Sequence, residues 1–245
     1  MEFSLSKSEV VRVWKNKPEI VAVIPARGGS KGVPKKNLMK IGGITLLERA
    51  IRTAEACTLI DSVWVSTEDP EIRAHAHAHV LARPIELASE NASSESALLH
   101  FAENVDFDIL VFIQCTSPLT LSIDIRHGIE PVLSGHCTST FSAFKSHQWI
   151  WKGREKVYPV GFCASSIFDR PMRQVLPDDM IFWIETGAFY VTTREDLLRS
   201  KCRVSGWVRP AAVSFWRSFQ VDSEEDVVMI NRIMRGDYWE QTNRC

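Results

Sequence analysis

Residues 20–37 read IVAVIPARGGSKGVPKKN, a short apolar β-branched run followed directly by a loop rich in glycine and cations. An apolar run of this length that is bounded by Pro and Gly is typical of a buried strand. The loop that follows, residues 25–37, holds three glycines, one hydroxyl and four cationic side chains. We therefore predict a buried first strand whose carboxyl end opens into a loop suited to an anion.

Helices and strands alternate after this loop. Apolar spacing predicts helices at 46–57, near 70–79, near 94–103 and near 123–133, and strands at 62–66 and 108–114. This order predicts an α/β fold: a three-layer, mainly parallel sheet with flanking helices. Because ligands bind beyond the carboxyl ends of the strands in such sheets, we expect the loops after the first three strands to converge.

The second half of the chain is less regular. Residues 137–144 and 186–192 read as strands, whereas residues 145–180 are rich in Trp, Pro and charge and are interpreted as an arm. Residues 222–236 combine acidic side chains in the first turn with apolar residues at helical spacing. This pattern predicts a last helix that ends at Gly236.

Length and composition limit the domain count and the kind of partner. The 245 residues are 45% hydrophobic, which favours one domain over residues 20–245, after an N-terminal extension at 1–19 and with the arm at about 145–182. The balance of 29 Lys and Arg against 30 Asp and Glu predicts no binding to nucleic acid or to an anionic membrane. No segment approaches the ~20 consecutive apolar residues of a membrane-spanning helix.

The N-terminal residues and the cysteines bear on the compartment. Residues 1–19 lack the unbroken apolar run of a signal peptide. The six cysteines contain no C-x-x-C pair, and a chain of this length does not need disulfides in order to fold. We therefore expect reduced thiols and a cytoplasmic location, with the nucleus as an alternative.

The composition of the loop at residues 25–37 suits a nucleoside triphosphate. Glycines let main-chain N–H groups approach an anion closely, and Arg27, Lys31 and Lys36 can neutralise it. The loop is not a Walker P-loop, because the pattern G-x-x-x-x-G-K-[ST] is absent. The alternative is a solvated basic loop whose glycines serve only turns.

Four further segments follow the loop in order. They are VSTEDPEI (65–72), RPIELASENASSE (83–95), IQCTSPL (113–119), and RQVLP with GAFYV (173–177 and 187–191). Together with the loop they resemble the CMP-N-acylneuraminate synthetases over residues 20 to about 232. The resemblance implies the Rossmann-like fold of nucleotide-diphospho-sugar transferases with a small dimerisation arm. It also implies transfer of CMP from CTP to the anomeric hydroxyl of a sialic acid, with release of pyrophosphate.

The resemblance assigns a role to each matching side chain of the loop. It places Arg27, Ser30, Lys31 and Lys36 on phosphate oxygens, with Asn37 nearby. Phosphoryl transfer depends on positioning and on neutralising charge around the reacting phosphorus, so cations are needed there. Arg27, Lys31 and Lys36 are therefore candidate catalytic residues.

Four other matches concern the cytidine and the acceptor. The resemblance implies that Arg83 and Ser94 recognise cytidine; their alternatives are a surface ion pair and a helix N-cap. Gln114 matches a residue that hydrogen-bonds the acceptor sugar, and its alternative is a contact with a neighbouring loop. Arg173 matches an arginine on the arm that reaches into the partner subunit's site, where a planar guanidinium suits a carboxylate. A homodimer with composite sites follows.

The implied metal site departs from the family pattern. The family usually shows D-I-D-x-x-x-D, whose first two aspartates bind Mg²⁺ beside the triphosphate. Here Asp222 keeps its place and Gln220 replaces the other carboxylate. Because Mg²⁺ (or Mn²⁺) often needs only one or two protein carboxylates, Asp222 is still expected to bind it. Asp226 is expected to support the start of the following helix.

Two further departures concern the acceptor. Thr186 stands where the family commonly has Asn, and Ile150 where a basic residue is often found. They leave two alternatives open: a cytidylyltransferase for another acid sugar (Kdo, legionaminic, pseudaminic or deaminated sialic acid), or a non-catalytic CTP-binding homologue. A metal site in His75-Ala-His-Ala-His79 is disfavoured, because only the first and last histidine would share a helical face.

Overall fold

The structure is a computed structural model that describes residues 14–29, 34–160, 172, 174 and 182–235. Its strands are β1 (Ile20–Pro25), β2 (Lys40–Ile41), β3 (Ile44–Thr45), β4 (Ser62–Thr67), β5 (His79–Ala82), β6 (Ile109–Ile113), β7 (Ser139–Ser146), β8 (Trp151–Gly153), β9 (Val157–Pro159), β10 (Phe182–Thr193) and β11 (Val208–Ala212). Its α-helices are α1 (Leu46–Glu55), α2 (Pro70–His75), α3 (Ser94–Asn104), α4 (Ser122–Leu133), α5 (Arg194–Ser200) and α6 (Glu224–Arg235).

One large sheet organises the described residues. Its strand order is β11, β7, β10, β6, β1, β4 and β5. Strand β10 runs antiparallel to both neighbours, and the other pairings in this sheet are parallel. The prediction of an α/β fold with a mainly parallel sheet is confirmed.

Strand β1 lies in the middle of the sheet and is buried on both faces. Ile20, Ala22 and Ile24 pack into a cluster with residues of α1 and α4, whereas Val21 and Val23 pack into a second cluster with residues of α3. Two faces covered by helices make three layers, as predicted. Burial on both sides also explains why the strand is apolar at consecutive positions rather than at alternate ones.

The helices α1, α3, α4 and α6 lie where the apolar spacing predicts them. Side-chain caps define two of their starts: the Thr45 hydroxyl accepts the N–H of Glu48 before α1, and the Ser93 hydroxyl accepts the N–H of Ser96 before α3. Each cap satisfies a main-chain donor that has no partner within the helix. Local sequence is therefore sufficient to place these helix starts.

The prediction of one helix over residues 70–79 is wrong after His75. Helix α2 ends there, and His79 begins the edge strand β5, where Val80 pairs with Val65 of β4. The imidazole of His79 stacks on Trp64, with ring centroids 4.8 Å apart. Because residues 79–82 pair with β4 instead of continuing the helix, His75 and His79 share no helical face. Within the described ranges no group of three His, Cys, Asp or Glu side chains could hold a metal ion.

The second half of the chain extends the sheet further than predicted. Strand β10 contains the strand predicted at 186–192 and extends beyond it at both ends. Strand β7 begins at Ser139 and ends at Ser146, so it overlaps the strand predicted at 137–144 but is shifted towards the carboxyl end, and β11 and α5 were not predicted. Part of the predicted arm forms the antiparallel hairpin of β8 and β9. Residues 161–171, 173 and 175–181 of the arm are not among the described residues. Its extent therefore stays a prediction.

The described part of the predicted N-terminal extension contacts the domain. The Trp14 indole N–H donates to the carbonyl of Leu133 at 2.9 Å, and the Lys17 ammonium lies 2.6 Å from the Asp61 carboxylate. The boundary at residue 20 therefore stays a prediction too. In the stretches that the structure describes, no helix combines the length and apolar character needed to cross a bilayer.

Candidate functional site

A cavity of about 380 Å³ opens at the carboxyl ends of β1 and β6. Six of the predicted site residues line it: Arg27, Lys36, Asn37, Arg83, Ser94 and Gln114. They come from the loops after β1, β5 and β6 and from the start of α3, so distant parts of the sequence meet at one sheet edge. Of the other four predicted residues, Asp222 lines a second cavity, whereas Ser30, Lys31 and Arg173 fall in segments that the structure does not describe.

The loop after β1 is held at both ends. The Asn37 side-chain amide donates to the carbonyl of Arg27 at 2.9 Å. The Lys36 ammonium donates to the carbonyl of Val221 and to the Asp222 carboxylate, both at 3.0 Å. The Lys36 side chain is only 16% exposed. The alternative of a solvated basic loop is therefore wrong for Lys36. Its ammonium lies between the cavity and the segment before α6.

Arg83 forms a buried ion pair beneath the cavity rather than the surface pair considered as its alternative. Its guanidinium lies 3.0 Å from the Glu68 carboxylate, and the two side chains are 5% and 16% exposed. The other Glu68 oxygen accepts the N–H of Gly28 at 2.7 Å. A Cβ at Gly28 would lie 2.0 Å from an Asp69 carboxylate oxygen, so only glycine fits there without rearrangement. Glu68 thus ties the loop after β1 to Arg83.

Replacing Glu68 with Ala should leave the Arg83 guanidinium buried without its counter-charge. Breaking a buried pair in this way typically costs about 3–5 kcal/mol, and we expect the free energy of unfolding in urea to fall by about 3 kcal/mol. The matched control is Glu71→Ala, which breaks the exposed pair between Glu71 and Lys35. That change should lower the free energy of unfolding much less, because solvent screens an exposed pair. Equal losses in the two variants would contradict a buried role for Glu68.

Ser94 lies on the cavity wall and does not cap its helix. The cap of α3 is Ser93, whose hydroxyl lies 3.1 Å from the N–H of Ser96, and Ser94 is the first helical residue. The N-cap alternative for Ser94 is therefore wrong by one position, because the capping hydroxyl belongs to the residue before the first helical one. The start of α3 carries Ser94 into the cavity wall.

Gln114 and Gln220 flank the turn at Gly187 between the first cavity and a second one. The second cavity, of about 540 Å³, is lined by residues that include Glu185, Thr186, Gly187, Gln220 and Asp222. Gly187 has a φ of +71°, and a Cβ there would lie 2.5 Å from the Gln220 amide nitrogen and 3.8 Å from the Gln114 side-chain oxygen. The Gln114 oxygen itself accepts the Thr116 hydroxyl at 3.4 Å. Gln114 therefore stands at the border of two adjoining cavities.

The two departures at positions 186 and 220 contact each other. The Gln220 side-chain amide donates to the main-chain carbonyl of Thr186, and the Thr186 hydroxyl donates to the Ser142 hydroxyl at 2.7 Å. An aspartate at position 220 could not donate this hydrogen bond, because a carboxylate is only an acceptor. The Gln220 amide is therefore occupied by the main-chain carbonyl next to Gly187. Of the two positions where the family has metal-binding aspartates, only Asp222 carries a carboxylate.

Asp222 offers an exposed carboxylate at the edge of the second cavity. Its side chain is 69% exposed and lies 3.0 Å from the Lys36 ammonium. A hard cation that takes its remaining ligands from water and phosphate fits such a single carboxylate. The donor set is thus compatible with one Mg²⁺ that is held mainly by its substrate.

Asp226 organises the entrance to α6. Its carboxylate accepts the N–H groups of Asp222 and Ser223 at 2.9 and 2.8 Å. The hydrogen bond from the Asp222 main chain is the largest cause that lowers the pKa of Asp226 from its ordinary 3.8. The expected role of Asp226 at the start of the helix agrees with this geometry.

The lowered pKa of Asp226 predicts a pH dependence. A carboxyl group whose pKa is lower in the folded chain stabilises the fold above its unfolded pKa and loses this effect as pH falls through the folded pKa. We expect Asp226→Ala to melt at a lower temperature than the wild type at pH 7, with the gap closing below about pH 4. Glu225→Ala, an acid in the same turn, is the control. A gap that is constant with pH would contradict the account.

The family is decided by residues 21–146, which match the family model described as Cytidylyltransferase. The chain belongs to the cytidylyltransferase family. The chain is 30% identical to an N-acylneuraminate cytidylyltransferase of Oncorhynchus mykiss, over 95% of the chain and 54% of that protein. It is 30% identical to N-acylneuraminate cytidylyltransferase B of Danio rerio, over 89% of the chain and 52% of that protein. The chain spans about half the length of the curated relatives it matches.

Solved structures share the fold of this chain. A CMP:2-keto-3-deoxy-manno-octonic acid synthetase in complex with CTP has a TM-score of 0.66 at 16% identity, covering 88% of this chain and 98% of that one. A 4-diphosphocytidyl-2C-methyl-D-erythritol synthase of Anaerococcus prevotii has a TM-score of 0.63 at 13% identity, covering 90% and 100%. At such low identity these likenesses confirm the Rossmann-like nucleotidyltransferase fold alone.

Three residues that contribute to the candidate site of this family member were missed in the sequence. Glu68 directly follows β4 and lies two positions after the strand predicted at 62–66, and its place at a strand's carboxyl end was the available signal. Phe112 lines the cavity but reads as an ordinary core residue of β6. Ser89 contributes its main-chain carbonyl, which accepts the Arg27 guanidinium at 3.2 Å. A carbonyl contact leaves no mark on the side-chain pattern.

Proposed function

We propose that this cytidylyltransferase transfers CMP from CTP to the anomeric hydroxyl of a sialic acid, N-acetylneuraminate or a close relative, and releases pyrophosphate. The observation that carries the proposal is the cavity at the ends of β1 and β6, where Arg27, Lys36 and Arg83 meet beside a second cavity. The 30% identity to N-acylneuraminate cytidylyltransferases supports the choice of acceptor.

In this proposal the first cavity binds CTP. Arg27, Lys36 and, from the predicted loop, Ser30 and Lys31 bind phosphate oxygens, while Asn37 holds the loop through the Arg27 carbonyl. Arg83 and Ser94 bind the cytidine. Cations that are already fixed in position stabilise the charge of the transition state without reorganisation at the moment of reaction.

The acceptor is proposed to enter through the second cavity. Gln114 stands where the two cavities adjoin and would hydrogen-bond the sugar. The anomeric oxygen attacks the α-phosphorus in line, a new P–O bond forms, and the bond to the bridging oxygen of pyrophosphate breaks. The hydroxyl proton is proposed to pass to water, because the side chain of Gln114 at the border of the cavities is an amide and cannot act as a base.

A divalent cation, Mg²⁺ (or Mn²⁺), is proposed to bind at Asp222. When bound, it supplies neutralisation of the triphosphate and of the departing pyrophosphate. Asp222 would be the only protein carboxylate that binds this cation. The Lys36 ammonium, in the loop after β1, donates to the Asp222 carboxylate at 3.0 Å. Lys36 therefore orients the metal ligand as well as contacting phosphate.

The deciding assay is pyrophosphate release with CTP, Mg²⁺ and N-acetylneuraminate. We expect turnover that requires both substrates. A parallel panel with Kdo, legionaminic, pseudaminic and deaminated sialic acids separates the acceptors, and a higher kcat/KM for one of them would replace N-acetylneuraminate. CTP binding in calorimetry without pyrophosphate release for any acceptor would instead identify a non-catalytic homologue.

We also propose a homodimer whose sites are completed by Arg173 of the arm. Trp151, Val157 and Tyr158 of the arm hairpin are exposed large apolar side chains, which supports a contact surface there. The test is complementation between subunits. Mixed Arg27→Ala and Arg173→Ala subunits should recover about a quarter of the wild-type activity, because half of the dimers then hold one intact composite site. No recovery in confirmed mixed dimers would place Arg173 in its own subunit's site.

A cytoplasmic location, with the nucleus as the alternative, is also proposed. Cys57, Cys115 and Cys137 are free and buried, which suits a reducing compartment. Burial raises the pKa of the Cys115 thiol to about 12, so this thiol on the cavity wall stays protonated and unreactive. The near-zero net charge supports the absence of nucleic-acid or membrane partners.

A further inference from the structure

Arg203, in the connection between α5 and β11, reaches the aromatic residues behind the first cavity. Its guanidinium donates to the Glu95 carboxylate in the first turn of α3. The central carbon of this guanidinium, Cζ, lies 4.5 Å from the ring centroid of Tyr190 and 5.9 Å from that of Phe112. One side chain therefore joins the start of α3 to two strands of the central sheet.

The aromatic pair under Arg203 borders the first cavity and is hydrogen-bonded to a residue of the second. Phe112 of β6 and Tyr190 of β10 are buried and stacked, with centroids 5.5 Å apart and an interplanar angle of 15°. Phe112 lines the first cavity, and the Tyr190 hydroxyl donates to Glu185, which lines the second. Burial, followed by the hydrogen bond to Glu185, raises the pKa of Tyr190 to about 12, so its hydroxyl remains a donor at physiological pH.

We propose that Arg203 is a positioning residue that holds the first turn of α3, and with it Ser94, against the Phe112 and Tyr190 rings. This inference rests on the proposed function, because it takes the first cavity as the CTP site. Helix α3 is already started by its Ser93 cap, so Arg203 is not needed to form the helix. Arg203 instead fixes the distance between the start of α3 and the rings of Phe112 and Tyr190.

The chemistry requires arginine at this position. A planar guanidinium can stack on an aromatic face and donate in its own plane to a carboxylate at the same time. A lysine ammonium can pair with Glu95 but cannot stack in this way. Methionine keeps the length of the stem and removes both interactions. The three side chains therefore form a graded series.

The experiment measures CTP binding by calorimetry, together with kcat and KM for CTP. Hydrogen bonds to charged groups are worth enough that we expect Arg203→Met to raise the Kd for CTP roughly ten-fold, with kcat changed less than about three-fold. Arg203→Lys should lie between Arg203→Met and the wild type. Arg52→Met is the matched control, since Arg52 forms an exposed pair with Glu48 on α1. It should bind CTP as the wild type does.

A double variant tests whether Arg203 acts through Glu95. Glu95→Gln alone should also weaken CTP binding, and Glu95→Gln with Arg203→Met should bind no more weakly than Arg203→Met alone. Additive losses would overturn the proposal, as would unchanged CTP affinity or a loss confined to kcat in Arg203→Met. Thermal melting checks the fold of each variant, and if Arg203→Met does not fold, Arg203→Lys and Glu95→Gln must still raise the Kd.

The wild-type measurement separates this inference from the function on which it rests. If the wild type binds no CTP in the presence of Mg²⁺, the proposed function fails and takes this inference with it. If the wild type binds CTP and releases pyrophosphate while the Arg203 and Glu95 variants bind CTP equally well, the function stands and only the positioning role is overturned.

Discussion

Arg27→Ala is expected to lower kcat/KM for pyrophosphate release by about a thousand-fold, the upper range for removing one fixed donor from a developing charge. Arg27 leaves the sheet at the end of β1, its carbonyl is held by Asn37, and its guanidinium reaches the Ser89 carbonyl across the cavity. The guanidinium is therefore already in place before CTP arrives. Steady-state assays with CTP and the acceptor measure the effect.

Two further variants show whether the charge or the shape of Arg27 matters. Arg27→Lys keeps the charge and loses the planar fork, so it should recover part of the activity but not all of it. Arg52→Ala removes an exposed arginine on α1 and should leave the rate unchanged. Thermal melting should show that each variant is folded. Turnover at the wild-type rate in Arg27→Ala would then refute the assignment of Arg27 to phosphate. The sequence alone predicts the same loss of kcat/KM for Lys31→Ala as for Arg27→Ala.

Asp222→Asn is expected to lower activity roughly a hundred-fold or more and to remove saturation by Mg²⁺. The change takes away the one carboxylate proposed for the metal and also the partner of the Lys36 ammonium. Pyrophosphate release should be followed as a function of Mg²⁺, and Mn²⁺ binding in the presence of CTP should be measured separately by electron paramagnetic resonance. Loss of Mn²⁺ binding together with activity would support a metal at Asp222.

The neighbouring residues supply the controls for Asp222. Asp226→Asn changes another carboxylate four positions along and should keep Mg²⁺ dependence. Gln220→Asp adds the carboxylate that the family pattern has but removes the donor to the Thr186 carbonyl. We expect tighter Mn²⁺ binding and a higher KM for the acceptor in Gln220→Asp. Full Mg²⁺ dependence in Asp222→Asn would place the metal elsewhere.

Several parts of the fold could be predicted because their causes are local. The run at residues 20–24 is apolar at every position, and the structure buries it on both faces as β1. The cap residues Thr45 and Ser93 directly precede helices that the apolar spacing also predicts. The segment at 75–82 shows the limit, because pairing with β4 turned its end into a strand. Such pairing depends on a distant neighbour that no short window of sequence contains.

For the candidate site, the residue types in the loop at 25–37 and the family were evident from sequence. Ion pairing was not: Arg83 is neutralised by Glu68, and Lys36 by Asp222, which is 186 positions away in the sequence. The contact between Gln220 and Thr186 also joins two departures that look independent in the sequence. The first pair is created by the sheet order, since β4 and β5 are adjacent and bring the residues after them together. The others arise because the segment before α6 packs beside the loop after β1 and the turn of β10.

By itself, then, the sequence determined the α/β class, the buried first strand, the cytidylyltransferase family and the side chains available for phosphate. Only the tertiary structure decided which cations are paired, that Gln220 is committed to a main-chain carbonyl, and that Arg203 lies over Phe112 of the first cavity's wall. The reason is physical: strand and helix preferences act over a few neighbouring residues, whereas charge pairing and burial depend on distances that exist only once the sheet has formed.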